Sequence, residues 1–85
     1  MIAVFCKYWS SGRMITKELE KRNVRHFIVR STQDIVGRTV TGAFLCNDGW
    51  ETQPYKAAAY HVLKRLMPSV HITNAVYERE MQKNR

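Results

Sequence analysis

The chain has 85 residues, with 14 Lys and Arg against 7 Asp and Glu, which gives a formal net charge of +7. A hydrophobic fraction of 45% is ordinary for a folded domain, and a chain of this length forms one domain with a thin core. It contains no apolar run near the roughly 18 residues of a membrane span, and no apolar signal segment after a basic start. We therefore expect a folded cytoplasmic protein and exclude the secreted, membrane-spanning and disordered classes.

The first part of the chain predicts a βαβ unit. Residues 2–8 are β-prone and mostly apolar, which is typical of a buried strand. After a break in which Ser10 or Ser11 is the expected N-cap, the good helix formers of 13–22 carry a short apolar stripe. Residues 24–30 are typical of a second strand. Because such crossovers are nearly always right-handed and join parallel strands, we expect these two strands to be parallel.

The middle of the chain predicts two further strands joined by a hairpin. Residues 31–37 form either a loop or a single helical turn, and 38–46 are rich in β-prone side chains. The Asn-Asp-Gly sequence at 47–49 is typical of a hairpin turn, and it leads into a short strand at 50–52.

A second helix and a tail complete the prediction. Pro54 is suited to the first turn of this helix, where a missing N–H costs little, and Pro68 lies just beyond its end. We predict a small single α/β domain over 1–68, with the order β-α-β-β-β-α and a mixed sheet. Residues 69–85 are expected to form a partly helical tail that frays.

This pattern resembles the thioredoxin fold, and in particular the glutaredoxins and the redoxins that serve ribonucleotide reductase. Residues 4–12 (VFCKYWSSG) occupy the place of the family's first strand and redox loop, and 17–24 (KELEKRNV) are similar to its K-x-L-x-x-x-x-V run. Residues 39–41 (TVT) stand where the family has T-V-P, and 47–50 resemble its C-terminal hairpin. The resemblance covers roughly residues 1–67 and implies a trimmed fold of this type. A small α/β domain of unrelated descent fits the same pattern.

The chain departs from this family at the residues that carry its chemistry. The two cysteines of the redox loop fall near Ser10 and Arg13, so the C-x-x-C motif is absent. Disulfide exchange requires a thiolate, and a serine hydroxyl cannot replace it. The family's cis-proline corresponds to Thr41, and 31–37 are too short for its second helix. The resemblance therefore implies the fold without the redox activity.

Other catalytic patterns are also lacking in the sequence. Cys6 and Cys46 lie in apolar stretches without zinc-site spacing. His26, His61 and His71 are far apart, and no paired carboxylates or phosphate-cradling glycines accompany them. We expect no enzyme activity, no metal and no cofactor.

Aromatic residues suggest a protein interface. Tyr8, Trp9, Trp50 and Tyr55 belong to the residue types that anchor interfaces when exposed, and a small domain cannot bury all of them. Our first hypothesis is a non-enzymatic adaptor or inhibitor that binds an acidic partner protein and does not contact membranes. Phage-encoded modulators of host enzymes are proteins of this kind, and such an origin implies the host cytoplasm.

Two alternatives remain open at this point. The first is a nucleic-acid-binding protein that presents a basic helix ridge to the phosphates of DNA or RNA. Its candidate residues are Arg13, Lys17, Lys21, Arg22 and Arg25. The second is a degenerate redoxin with residual thiol chemistry at Cys6 or Cys46.

Overall fold

The computed structural model describes residues 1–75. Within this range the chain forms four strands, two α-helices and two single-turn 3-10 helices. The strands are β1 (Ile2–Phe5), β2 (His26–Ile28), β3 (Gly42–Cys46) and β4 (His71–Ala75). The α-helices are α1 (Trp9–Lys21) and α2 (Pro54–Leu66), and the 3-10 turns are Thr32–Asp34 and Trp50–Thr52.

The four strands form one sheet in the order β2-β1-β3-β4, and every neighbouring pair is parallel. The predicted parallel pairing of the first two strands is confirmed, with Ala3 opposite Phe27. On its other side Ala3 lies opposite Ala43 of β3. The small α/β domain expected from the sequence is therefore present, with β1 at its centre beside β3.

The prediction of a mixed sheet in the order β-α-β-β-β-α is wrong. The Asn-Asp-Gly segment does form a turn, with Gly49 at φ 82°, but the residues after it coil into a 3-10 turn instead of returning as a hairpin strand. Trp50 explains this path, because its side chain is only 5% exposed and lies in the core on one face of the sheet. The chain therefore crosses that face through α2 before it returns as a parallel strand.

That returning strand is β4, which comes from residues that the sequence assigned to a tail. His71 and Asn74 are exposed, whereas Ile72 and Thr73 are half-buried. Its register with β3 extends from Gly42 opposite His71 to Cys46 opposite Ala75. The helical part of the predicted tail lies outside the described residues.

Each face of the sheet carries its own apolar cluster. Ala3 and Phe5 of β1 pack on one face with Leu63 of α2. Val4 faces the opposite side, where it packs with Ile15 of α1. Because both faces are covered, β1 is apolar throughout, as is usual for a central parallel strand.

Candidate partner-binding surface

Two neighbouring strands end at the same edge of the sheet and lead into helices on opposite faces. β1 ends at Phe5 and its chain continues into α1, whereas β3 ends at Cys46 and continues through a 3-10 turn into α2. Open α/β sheets usually bind ligands at such a point, outside the carboxyl ends of the strands. We therefore describe this edge, with the first residues of α1 and α2, as the candidate site.

Asp48, in the turn that follows β3, binds the start of α1 with its side chain. Its Oδ2 atom accepts hydrogen bonds from the backbone N–H of Lys7 at 2.6 Å, from that of Tyr8 at 3.0 Å, and from the Ser11 hydroxyl. The amides at a helix start lack partners within the helix and attract anions. The predicted N-cap at Ser10 or Ser11 is wrong, because Tyr8 is the N-cap residue and Asp48 supplies the carboxylate. A charged group of the protein itself thus occupies this helix start.

The hydrogen bonds to Asp48 also determine its charge. Burial alone raises the pKa of this carboxyl group, but the bonds from Ser11, Tyr8 and Lys7 together outweigh burial and hold the pKa below its ordinary value. Asp48 is therefore ionised at neutral pH, and its negative charge faces the positive end of the α1 dipole.

The start of α2 is bound to the end of β1 by two further side chains. Lys56 Nζ donates to the backbone oxygen of Cys6 at 2.6 Å, and Gln53 Nε2 donates to that of Lys7 at 3.5 Å. Together with Asp48, they bridge the gap between the two strand ends with groups of the chain itself.

Three large aromatic side chains project from this edge into solvent. Tyr8 is 57% exposed, Trp9 is 63% exposed and Tyr55 is 76% exposed. The Arg13 guanidinium lies 5.1 Å from the centre of the Trp9 ring, and Lys7 Nζ lies 5.4 Å from the centre of the Tyr8 ring. We call Tyr8, Trp9 and Tyr55 the aromatic surface. The cations stacked on two of its rings orient them without removing them from solvent.

Trp50, which the sequence placed with Trp9 on a binding surface, is a core residue. Its ring centre lies 5.1 Å from that of Phe5 and 5.3 Å from that of Tyr60. The ring is buried against the sheet face that α2 covers. Trp50 therefore positions the start of α2 and is not part of the aromatic surface.

The five basic residues predicted to bind nucleic acid fall into two groups, and three of them form a row along α1. Arg13, Lys17 and Lys21 are exposed and follow one another at every fourth position of α1, directly after Trp9. No carboxylate of residues 1–75 lies within ion-pair distance of these three. We call them the basic ridge.

Two of the predicted cations lie off this ridge. Arg22 forms an ion pair with Glu18 at 3.3 Å. Arg25 is exposed just before β2, at the edge of the sheet. The aromatic surface and the basic ridge meet at Trp9 and Arg13.

The two cysteines lie side by side below the candidate site. They follow Phe5 and Leu45, which are register partners, and both are buried without a disulfide between them. The Cys46 side chain lowers the pKa of Cys6 through a hydrogen bond, which outweighs the opposing effect of burial, and Lys56 lowers it further. Both cysteines belong to the apolar cluster on the sheet face that α1 covers.

The roles of Asp48 and Lys56 in this site were not predicted from the sequence. Asp48 was interpreted only as part of the Asn-Asp-Gly turn. Both roles depend on the parallel pairing of β1 with β3, which brings the loop after β3 to the start of α1. A parallel β3 in the prediction would have been the signal that identifies Asp48 as a cap.

Comparison with protein-family models, with curated proteins and with solved structures gives no match to this chain. Among the residues that the structure describes, no helix has the length and apolar character needed to cross a membrane. Within the same residues, no group of three or more His, Cys, Asp or Glu side chains gathers in a way that could hold a metal ion.

Proposed function

We propose that this protein is a non-enzymatic binding module that recognises an acidic partner protein through Tyr8, Trp9 and Tyr55 and modulates that partner as an adaptor or inhibitor. The observation that carries the proposal is the exposure of Trp9, a residue type that small domains ordinarily use in their cores. Exposed tryptophan and tyrosine rings bury large areas on binding and often dominate the energy of an interface.

Charge supports an acidic partner. The chain carries a net charge of +7, and Lys7 and Arg13 lie against the rings that would be covered. A partner with carboxylates around an apolar patch would be steered to this surface and would pair with these cations at its rim. The positive charges beside the Tyr8 and Trp9 rings therefore favour an acidic over a basic partner.

The contacts that fill the crevice beyond the ends of β1 and β3 support a macromolecular rather than a small ligand. Asp48 occupies the helix start that would otherwise attract a phosphate, and Lys56 is bonded to the backbone of Cys6. These contacts hold in place Tyr8 and the first turns of α1 and α2, which carry Trp9 and Tyr55. A rigid aromatic surface loses little conformational entropy when a partner covers it.

The proposal is tested by affinity capture from nuclease-treated lysate with the tagged full chain. We expect a discrete protein to be retained by the wild type and lost with Trp9→Ala or Tyr55→Ala. Leu66→Ala is the matched control, because Leu66 is an exposed apolar residue at the opposite end of α2. Equal retention by the wild type and both aromatic variants would contradict the proposal.

The basic ridge favours nucleic acid as a second candidate. Trp9, Arg13, Lys17 and Lys21 follow one face of α1 over about 18 Å, with an aromatic ring at one end for base stacking and exposed cations along the rest. Binding of a fluorescent thymidine oligonucleotide should then weaken steeply between about 50 and 200 mM salt. It should also weaken in Lys17→Gln, with Lys64→Gln on the exposed side of α2 as the control.

A further inference from the structure

A groove of about 480 Å³ follows the β2 edge of the sheet. Trp9, Phe27 of β2, Arg30 and Arg38 are among the residues that line it. Trp9 therefore belongs both to the aromatic surface and to this groove, so a partner that covers Trp9 also reaches β2.

The backbone of β2 presents hydrogen-bonding groups to the groove. The Arg25 carbonyl and the Val29 amide both bond to β1, and Phe27 lies between them in register with β1. In a parallel ladder, alternate residues bond to the same neighbouring strand. The peptide groups of His26 and Ile28 consequently point away from β1, toward the groove, in the orientation that an added strand requires.

The side chains around this edge are mainly cationic. Arg25, Arg30 and Arg38 are all exposed, and the Arg38 guanidinium lies 4.4 Å from the centre of the Phe27 ring. The two carboxylates that line the groove already have partners. Asp34 Oδ2 accepts the backbone N–H of Arg30 at 2.7 Å, and Glu20 lies 3.8 Å from His26 Nε2.

We propose that an extended acidic segment of the partner protein adds a strand to the β2 edge. The peptide groups of His26 and Ile28 bond to its backbone, and Arg25, Arg30 and Arg38 pair with its carboxylates. This inference rests on the proposed function, because the segment belongs to the partner that contacts Trp9. A second copy of this chain is a poor occupant, since the same arginines would face one another across a two-fold axis.

The test uses a phage-displayed library of random ten-residue peptides selected on the full-length protein. We expect the enriched peptides to be acidic and β-prone, and to bind with an affinity that falls as salt rises. His26→Pro removes one outward N–H and keeps the bonds between β2 and β1, as proline does on edge strands. We expect it to weaken binding of an enriched peptide about tenfold.

His26→Val is the matched control, because it removes the same imidazole and keeps the N–H. It should bind the enriched peptide as the wild type does. Arg30→Glu provides a second variant that leaves the β2 backbone unchanged, and it should also weaken binding at least about tenfold. Circular dichroism of each variant verifies that the sheet is retained.

Several results would overturn the inference. They are a library without enriched peptides, enriched peptides that are not acidic, and equal affinities for His26→Pro and His26→Val. An oligonucleotide bound where no peptide is enriched would assign the groove to nucleic acid instead. Partner capture that is lost in Trp9→Ala and unchanged in both His26→Pro and Arg30→Glu would reject the added strand and leave the proposed function intact. If acidic peptides bind through His26 but partner capture is unchanged in Trp9→Ala, the proposed role of the aromatic surface is rejected and strand addition at β2 is retained.

Discussion

The carboxylate of Asp48 accepts the backbone N–H of Lys7 at 2.6 Å and thereby joins the loop after β3 to the loop before α1. The bond connects the segments that follow β1 and β3, two neighbouring strands whose chains continue into helices on opposite faces of the sheet. It fixes the direction in which the chain leaves β1, and so determines where Tyr8 and Trp9 project.

Loss of this carboxylate should destabilise the domain. We expect Asp48→Ala to lower the free energy of unfolding by about 1–3 kcal/mol, because the backbone N–H groups of Lys7 and Tyr8 lose their acceptor. The Ser11 hydroxyl keeps the Tyr8 carbonyl oxygen as an alternative acceptor. Urea denaturation followed by circular dichroism measures the change. Glu51→Gln is the control, since Glu51 is exposed in the adjacent 3-10 turn, and it should change stability by less than about 0.5 kcal/mol.

Acid should destabilise the protein through the same group. The pKa of Asp48 is lower in the folded state than its ordinary value, so its contribution is fully present above the unfolded pKa of about 3.9. That contribution is lost as the pH falls through the folded pKa. Urea midpoints measured from pH 7 down to pH 2 should therefore fall more steeply for the wild type than for Asp48→Asn. Parallel curves for the two proteins would show that the charge of the Asp48 carboxylate does not stabilise the fold.

Gly12 should tolerate no side chain while Cys6 is present. A Cβ atom on Gly12 would lie 2.5 Å from Cys6 Sγ. In an exposed helix, Gly→Ala stabilises by up to about 1 kcal/mol, whereas here overpacking should make Gly12→Ala destabilising by about 1–3 kcal/mol. The double variant Gly12→Ala/Cys6→Ala should recover part of that loss. A stabilising Gly12→Ala would contradict the close packing of α1 on β1.

The thiols of Cys6 and Cys46 should react slowly in the native protein. Both are buried, and thiol reagents require access to the sulfur as well as a lowered pKa. We expect little reaction with a chromogenic disulfide reagent in buffer and reaction of both thiols in denaturant. Fast native reaction at Cys6, together with disulfide-reductase activity, would favour the degenerate redoxin instead.

The parts of the fold that depend on local sequence were predictable, and those that depend on strand partners were not. The βαβ unit follows from periodicity within the first 30 residues, and the start of α2 follows from Pro54. β4 was not recognised because an edge strand with His71 and Asn74 exposed lacks a continuous apolar run. The hairpin was predicted in error because the sequence does not reveal that Trp50 is buried.

The candidate site was predictable in part for the same reason. Residue type alone cannot separate Trp9 from Trp50, because both are suited to an interface. Their exposures, 63% and 5%, depend on which face of the sheet each chain segment crosses. Asp48 could be identified as the cap of α1 only once β3 was known to lie parallel to β1.

The most direct test of the central claim is the dissociation constant of the captured partner for wild type, Trp9→Ala and Leu66→Ala, measured by titration calorimetry after nuclease treatment. Trp9→Ala should weaken binding about 30-fold, as truncation of an aromatic anchor does, and Leu66→Ala should change it less than about twofold. Equal dissociation constants for wild type and Trp9→Ala would contradict the claim that the exposed aromatic surface binds the partner.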